Sequence, residues 1–271
     1  MPGQIREPGR TVTSRVLAIL EAFGPDDTDL TLAELCRRTG LAPATAHRIA
    51  GELVAWGGLE RSGDQHYRIG LRLFEIGMRA PGRYGLGSVA LPFLEDLYEV
   101  TGENVHLAVR DGHHAVYLHK ITGRRAVDTP SRSGGRLPLY ATGMGKALLA
   151  FLPSELTEEI ITGGLVHYTP HTITSPGLLR RALTQIRQRG FSVAAQEYSL
   201  GTVSVAAPVL ASDGQALAAV SVVVHSSRVN VARLGPAVRT AATGISRRLS
   251  PPDVSDASAG RASLGWSTSS G

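Results

Sequence analysis

One cysteine, Cys36, stands in a chain of 271 residues. A single thiol excludes an intrachain disulfide framework and any zinc site built from several cysteines, and it fits a reducing cytoplasm. Beside Arg37 and Arg38, Cys36 reads as a small half-buried side chain rather than a redox switch. No run of about 18 apolar residues occurs, so no membrane-spanning helix is expected. The N-terminal stretch MPGQIREPGR has no apolar core of the signal-peptide type. Lysine is missing from the first 80 residues, where ten arginines balance ten acids. The net charge of +5 therefore arises in residues 81–271, with 18 basic against 13 acidic side chains. Total charge is thus weak evidence for a polyanionic partner, and local patterning has to decide. No internal repeat is present.

What is there begins with residues 31–57, TLAELCRRTGLAPATAHRIAGELVAWG. Leu32, Leu35, Leu41, Ile49, Leu53 and Val54 recur at helical spacing and mark one inward face. Thr31 with Glu34 has the spacing of a capping box. Gly40 sits where two short helices joined by a tight turn need a residue tolerant of positive φ. The second helix opens with Pro43 and Ala44 and offers Thr45, His47 and Arg48 near its start. Those are the positions a recognition helix offers to the DNA major groove. Upstream, Val16, Leu17, Ile19, Leu20 and Phe23 form the stripe of a further helix. Downstream, Leu59–Arg61 and His66–Ile69 flank the polar turn Ser62-Gly63-Asp64-Gln65 as a hairpin. Three helices and a hairpin make a winged helix-turn-helix, against the plainer reading of a helical bundle with an appended hairpin. Arg48, Arg61 and Arg68 are its candidate base or phosphate contacts. The acids Asp26, Asp27 and Asp29 lie in the loop before the second helix.

The remainder reads as follows. Residues 1–10 and 251–271 are rich in Pro, Gly and Ser and are expected to be disordered tails. Residues 11–70 form the winged domain and 71–87 a linker that includes a helical segment, Gly70 to Ala80, interrupted by Pro81-Gly82. A helix is expected from about Ser88 to Val100. Alternation at Val105, Leu107 and Val109, then Ala115–Leu118, predicts a hairpin. Val127 begins a short extended piece, and an arginine-rich loop leads to Leu137–Tyr140. Thr142 to Lys146 opens an apolar helix, followed by helices at 154–162 and 176–190. Strands Val203–Leu210 and Gln215–Val224 meet at Ser212-Asp213-Gly214, and a last helix spans about 229–249. Mixed helices and antiparallel hairpins give one α+β domain over 88–250.

Several chemistries are excluded or demoted. Gly143-Met144-Gly145-Lys146 lacks the earlier glycine and following Ser/Thr of a nucleotide loop, having Tyr140 and Ala147 instead. Its helix start, Gly143 to Gly145, is an anion-binding candidate through backbone N–H groups. Lys146 itself reads as a structural or outward-snorkelling side chain. His106, His113, His114 and His119 share one hairpin, and the adjacency of His113 and His114 makes them diverge, so solvated turn histidines are expected rather than a metal site. There is no GxSxG elbow and no complete nucleophile–base set, so no catalytic residue, cofactor or metal is expected. Arg124, Arg125, Arg132 and Arg136 read as a solvated loop or subunit rim, or as a means of steering an anion inward.

Taken in order, TGLAPATAHRIAGELVAWGGLER, YRIGLRLFEIG, GGRLPLYATGMGKALLAFLP, TSPGLLRRALTQIRQRGFSVAAQEYSLGTVSVAAPV and DGQALAAVSV resemble the IclR family of bacterial transcription regulators over about residues 11–250. The resemblance implies a GAF-like effector-binding domain after the winged domain. It implies a homodimer or dimer of dimers on palindromic double-stranded DNA, responding to a small organic or aromatic acid. Carried over residue by residue, the effector candidates are Ala126, Thr129, Leu137, Gly143, Met144, Ala194, Ser204, Ser221 and Val223, to which the anion-binding helix start adds Gly145. The chain departs from the family where some members have an acid (Ala194 here), a cysteine (Ser204 here) and a Lys-Ser pair before the recognition threonine (Pro43-Ala44 here). Alternatives are a ligand-free architectural DNA-binding protein and an enzyme acting on a small acid.

Overall fold

The computed structural model describes residues 11–24, 27–63, 65–79 and 83–249. The expected terminal tails, Pro81-Gly82, Asp26 and Asp64 lie outside these residues. The chain divides into two compact units between Tyr84 and Gly85.

In the first unit, α1 (Val12–Glu21) starts at Thr11, whose hydroxyl accepts the Ser14 N–H at 3.1 Å. A two-residue strand β1 (Leu30–Thr31) leads into α2 (Leu32–Thr39), and α3 (Pro43–Trp56) follows. The capping box forms as its spacing predicts: Glu34 N–H donates to the Thr31 hydroxyl, and the Glu34 carboxylate accepts from the Thr31 N–H at 2.9 Å. Gly40 ends α2 at φ 70°, a conformation that a side chain would strain. Pro43 occupies the first turn of α3, where its missing N–H costs nothing. Strands β2 (Leu59–Ser62) and β3 (His66–Ile69) form the hairpin, and β1 adds to its edge, giving the order β1-β3-β2. Ile19, Leu35, Leu41, Ile49, Leu53, Leu59 and Tyr67 close the core. Each such burial contributes roughly 1.5–3 kcal/mol. Leu17 departs from the expected stripe and is half exposed. Helix α4 (Leu71–Met78) completes this unit, with none of its residues buried.

The second unit opens with α5 (Arg83–Thr101), which starts earlier than Ser88 and carries Pro92 inside it. Gly85 and Gly87 weaken helix propensity there, but Leu86, Ala90 and Leu94 anchor the helix in the core. Strands β4 (Asn104–Asp111), β5 (His114–Ile121), β6 (Arg136–Pro138), β7 (Ser192–Ala195), β8 (Thr202–Leu210) and β9 (Ala216–His225) form one antiparallel sheet, ordered β6-β5-β4-β9-β8-β7. The extended piece expected from Val127 does not join it. The Asn104 side chain takes up the Val127 carbonyl at 2.7 Å, so that segment is tied to the sheet end as a loop.

Alternation along the strands sorts the side chains. Val203, Val205, Ala207 and Val209 of β8 face one core with α5 and α9 (Val231–Leu249). On the opposite face, Ala206 and Ala219 pack with α6 (Gly143–Leu149), α7 (Ser154–Thr162) and α8 (Pro176–Arg189). This is the α+β arrangement that the mixed pattern predicts.

Candidate functional site

The first unit presents a helix face. On α3, Pro43, Ala44, His47 and Arg48 are exposed and Thr45 is half-buried, while Ala46, Ile49, Ala50 and Leu53 point inward. The 3.6-residue period therefore leaves the candidate contacts on one side. Arg48 is held along the helix by Glu52 at 2.6 Å, in the open. On the hairpin, Arg61 lies over the Tyr67 ring at 5.8 Å, and Arg68 donates to the Ser62 hydroxyl at 2.7 Å. Asp27 binds Arg38 in an ion pair, which keeps one acid of the preceding loop occupied. Cys36 is a free, half-buried thiol.

The second unit contains a cavity of about 50 Å³ between the sheet and the start of α6. Its floor follows from register. Ala194 of β7 pairs with Ser204 of β8, and Ser204 pairs with Val223 of β9, so three side chains from adjacent strands stand in one row. Above that row, Gly143 comes so close that a Cβ on it would lie 2.5 Å from the Ser204 hydroxyl. The Ser192 hydroxyl donates to the Gly143 carbonyl at 2.5 Å and ties the helix start to the sheet. Thr129 and Leu137 complete the predicted residues at the cavity, together with Gly143, Ala194, Ser204 and Val223.

Four candidates lie elsewhere. Ala126 is exposed in a turn, its N–H donated to the Gly123 carbonyl. Met144 points into the core. Gly145 packs on Leu139, whose carbonyl would lie 2.2 Å from an added Cβ, and its N–H is already taken by the Thr142 hydroxyl at 3.1 Å. Ser221 stands in the next row of the same sheet face, opposite Ala206 and His106, and is fully buried. Sequence reading missed Tyr117, Ser131, Thr142, Glu197, Tyr198, Ser199 and Thr202 at the cavity. The strand alternation of 115–118 could have flagged Tyr117, and the two-residue step back from Ser204 along β8 could have flagged Thr202, whereas the others sit in loops and turns with no periodic signal.

Two expectations are corrected. Lys146 is neither outward nor solvated. It is 1 % exposed, and its Nζ meets Glu197 Oε1 at 2.5 Å. Burial pushes the lysine down and Glu197 up from their usual ranges, and each opposes that shift in the other by charge. Likewise His106 is not a turn histidine but a fully buried one, edge-on to Tyr117 with ring centres 5.4 Å apart. Its Nε2 bonds the Ser131 hydroxyl at 2.8 Å, and that hydroxyl bonds Thr129 at 2.8 Å. Lys120 donates to Thr129 and to the Ser131 carbonyl. Burial, with Lys120 nearby, pushes His106 down to about 3. His113 and His114 are exposed, and His113 faces Glu159 at 3.4 Å. Among the described residues, no three His, Cys, Asp or Glu side chains converge to hold a metal ion, and no helix is long and apolar enough to cross a membrane. The loop arginines Arg124, Arg125 and Arg132 are exposed, while Arg136 pairs with Asp111.

Comparison with known proteins gives matching results for both units. Residues 12–63 match the IclR helix-turn-helix domain, and 79–247 match the bacterial transcriptional regulator IclR C-terminal domain. The HTH-type transcriptional regulator XynR of Escherichia coli is 32% identical over 243 residues, 88% of this chain and 96% of that protein. The transcriptional repressor IclR of the same bacterium is 32% identical over 80% of each chain. A crystal structure of an IclR homolog complexed with 4-hydroxybenzoate, from Microbacterium hydrocarbonoxydans, has a TM-score of 0.83 and 33% identity. It covers 88% of this chain and 99% of that one. The Thermotoga maritima IclR structure has a TM-score of 0.75 at 29% identity, covering 88% and 98%.

Proposed function

This chain belongs to the IclR family of bacterial transcriptional regulators, and we propose that its cavity under α6 is the effector site through which a small organic acid controls operator binding. The cavity is the observation that carries this reading. It lies between a sheet row and a helix start, and sets a few polar side chains, Thr129, Ser131, Thr142, Glu197 and Ser204, among apolar ones such as Tyr117, Leu137 and Val223. Thr129, Leu137, Gly143, Ala194, Ser204 and Val223 are its proposed contacts. The relative bound to 4-hydroxybenzoate supports an acid as the class of ligand.

In this reading α3 enters the major groove. Thr45, His47 and Arg48 meet base edges or phosphates, with Pro43 and Ala44 at the helix entry, while Arg61 and Arg68 meet the flanking backbone. A homodimer, or a dimer of dimers, reads palindromic half-sites about 10 bp apart or a multiple of that. Residues 71–87 act as the linker between an 11–70 reading domain and an 88–250 sensing domain. A tenfold change in operator affinity needs about 1.4 kcal/mol of coupling. The protein works in the cytoplasm and turns over no substrate.

Fluorescence anisotropy of the full chain against its own upstream DNA, at two salt concentrations and with scrambled DNA as control, tests the reading. Preferential binding that an organic acid weakens or strengthens supports it. Equal affinity for both DNAs at both salts, unmoved by any acid, overturns it.

A further inference from the structure

Among the described residues that line the cavity, Glu197 is the only charged side chain. Its carboxylate is 8% exposed, and the two oxygens differ in environment. Oε1 receives the Lys146 ammonium, and the Ala195 N–H bears on the carboxylate from the backbone, whereas Oε2 has no hydrogen-bond partner among the described residues. A buried carboxylate oxygen accepts and cannot donate, so only a donor relieves it. The protein holds this group in place firmly. Gln196, just before it, sits at φ 57°, in the left-handed region that non-glycine residues avoid. The Thr169 hydroxyl fixes the Gln196 carbonyl at 2.6 Å, and the Thr172 hydroxyl fixes the Glu197 carbonyl at 2.6 Å. Strained backbone held by several bonds is a mark of a built site.

We propose that Glu197 Oε2 accepts a hydrogen bond from a hydroxyl of the ligand, so that the cavity selects hydroxy acids over the corresponding plain and keto acids. This rests on the effector reading of the cavity. Charge decides between a hydroxyl and an ammonium as the donor. Lys146 already neutralises Glu197, so a second cation would enter without a counter-charge, and a neutral hydroxyl pays no such penalty. The same carboxylate repels a ligand carboxylate and leaves a keto oxygen unpaired. The ligand's acid end therefore turns away from Glu197, toward the Ser204 hydroxyl beneath the start of α6. A plain acid leaves Oε2 either orphaned or holding a trapped water. At about 10–15 Å³ per water-sized group, 50 Å³ admits roughly four such groups, which favours short hydroxy acids first.

The test is calorimetric titration of the full-length protein with lactate, propionate and pyruvate, and with 4-hydroxybenzoate, 4-aminobenzoate and benzoate. In at least one series the hydroxy acid is expected to bind about tenfold or more tightly than its partners. Replacing the carboxylate in Glu197→Met should erase that preference. Because this change also strands Lys146, Lys146→Met/Glu197→Met removes both charges together and keeps the test readable if the single variant fails to fold. Plain or keto acids binding as tightly as the hydroxy acid overturn the inference and leave the ligand-gated regulator standing. So does a preference that survives in the double variant. Preference for 4-aminobenzoate transfers the donor role to nitrogen and overturns the hydroxyl assignment. Absence of heat with every acid overturns the inference together with the acid-effector reading.

Discussion

Gly143 stands directly over Ser204: a methyl group at Gly143 would meet the serine Oγ at 2.5 Å and its Cβ at 2.8 Å. The clash involves the serine Cβ as well as its hydroxyl, so rotating the side chain does not remove it. Gly143→Ala is expected to lift the start of α6, cost about 1–3 kcal/mol of stability and abolish ligand binding, while operator affinity persists. Thermal unfolding and ligand titration of the variant check this. Wild-type ligand affinity would show that the helix start does not roof the site.

Arg48 is exposed and, among the described residues, pairs with Glu52 one turn on, an arrangement worth about 0.3–0.5 kcal/mol. Arg48→Ala should leave the melting temperature nearly unchanged. Operator affinity should fall by about tenfold or more, corresponding to about 1–3 kcal/mol if it reads a base. Anisotropy at several salt concentrations then separates the roles. A base contact relaxes sequence preference, whereas a phosphate contact lowers affinity uniformly and flattens the salt slope.

The Lys146–Glu197 pair should behave non-additively. Lys146→Met strands a buried carboxylate and is expected to cost about 3–5 kcal/mol. Lys146→Met/Glu197→Met should recover most of that loss, because neither charge then needs a partner. Urea unfolding of the wild type, the two single variants and the double variant supplies the cycle, and additive losses would contradict the pairing.

His106 predicts an acid-sensitive second unit. Its folded value of about 3 lies well below the ordinary 6.5. Between those values the unfolded chain binds a proton that the native protein does not. Stability from this group is therefore complete above about pH 6.5 and declines as pH falls toward 3, at about 1.4 kcal/mol per unit. Unfolding free energy should thus drop by about 2 kcal/mol more between pH 7 and pH 5 in the wild type than in His106→Gln. Identical pH slopes in the two proteins would show that His106 gains a proton in the folded state.

Much of this was readable from residue order. The winged unit was, because its information is local: the Thr31–Glu34 spacing, the glycine after α2 and the period of Leu35, Ile49 and Leu53 each act within a few residues. The long strands of the second unit were legible for the same reason. β1 and β7 were not, being two and four residues long and defined by partners far along the chain. The site was half legible. The glycines at the start of α6 marked the roof by their own chemistry, whereas the floor residues Ala194, Ser204 and Val223 came only through the family resemblance. Glu197 carried no signal, since what buries it is a lysine 51 positions away. The rule that a lysine at a helix start snorkels outward failed at Lys146 because α6 is buried along its whole length and Glu197 gives the ammonium a partner inside.

Ala194, Ser204 and Val223 each come from a different strand and stand in one row at the cavity. Their immediate chain neighbours Val193, Val203, Val205, Val222 and Val224 pack into or against the opposite core. Recognition and folding are thereby written on alternate letters of the same strands. If the cavity is the effector site, a change at Ala194 or Val223 alters what it recognises while the valines that build the opposite core stay as they are.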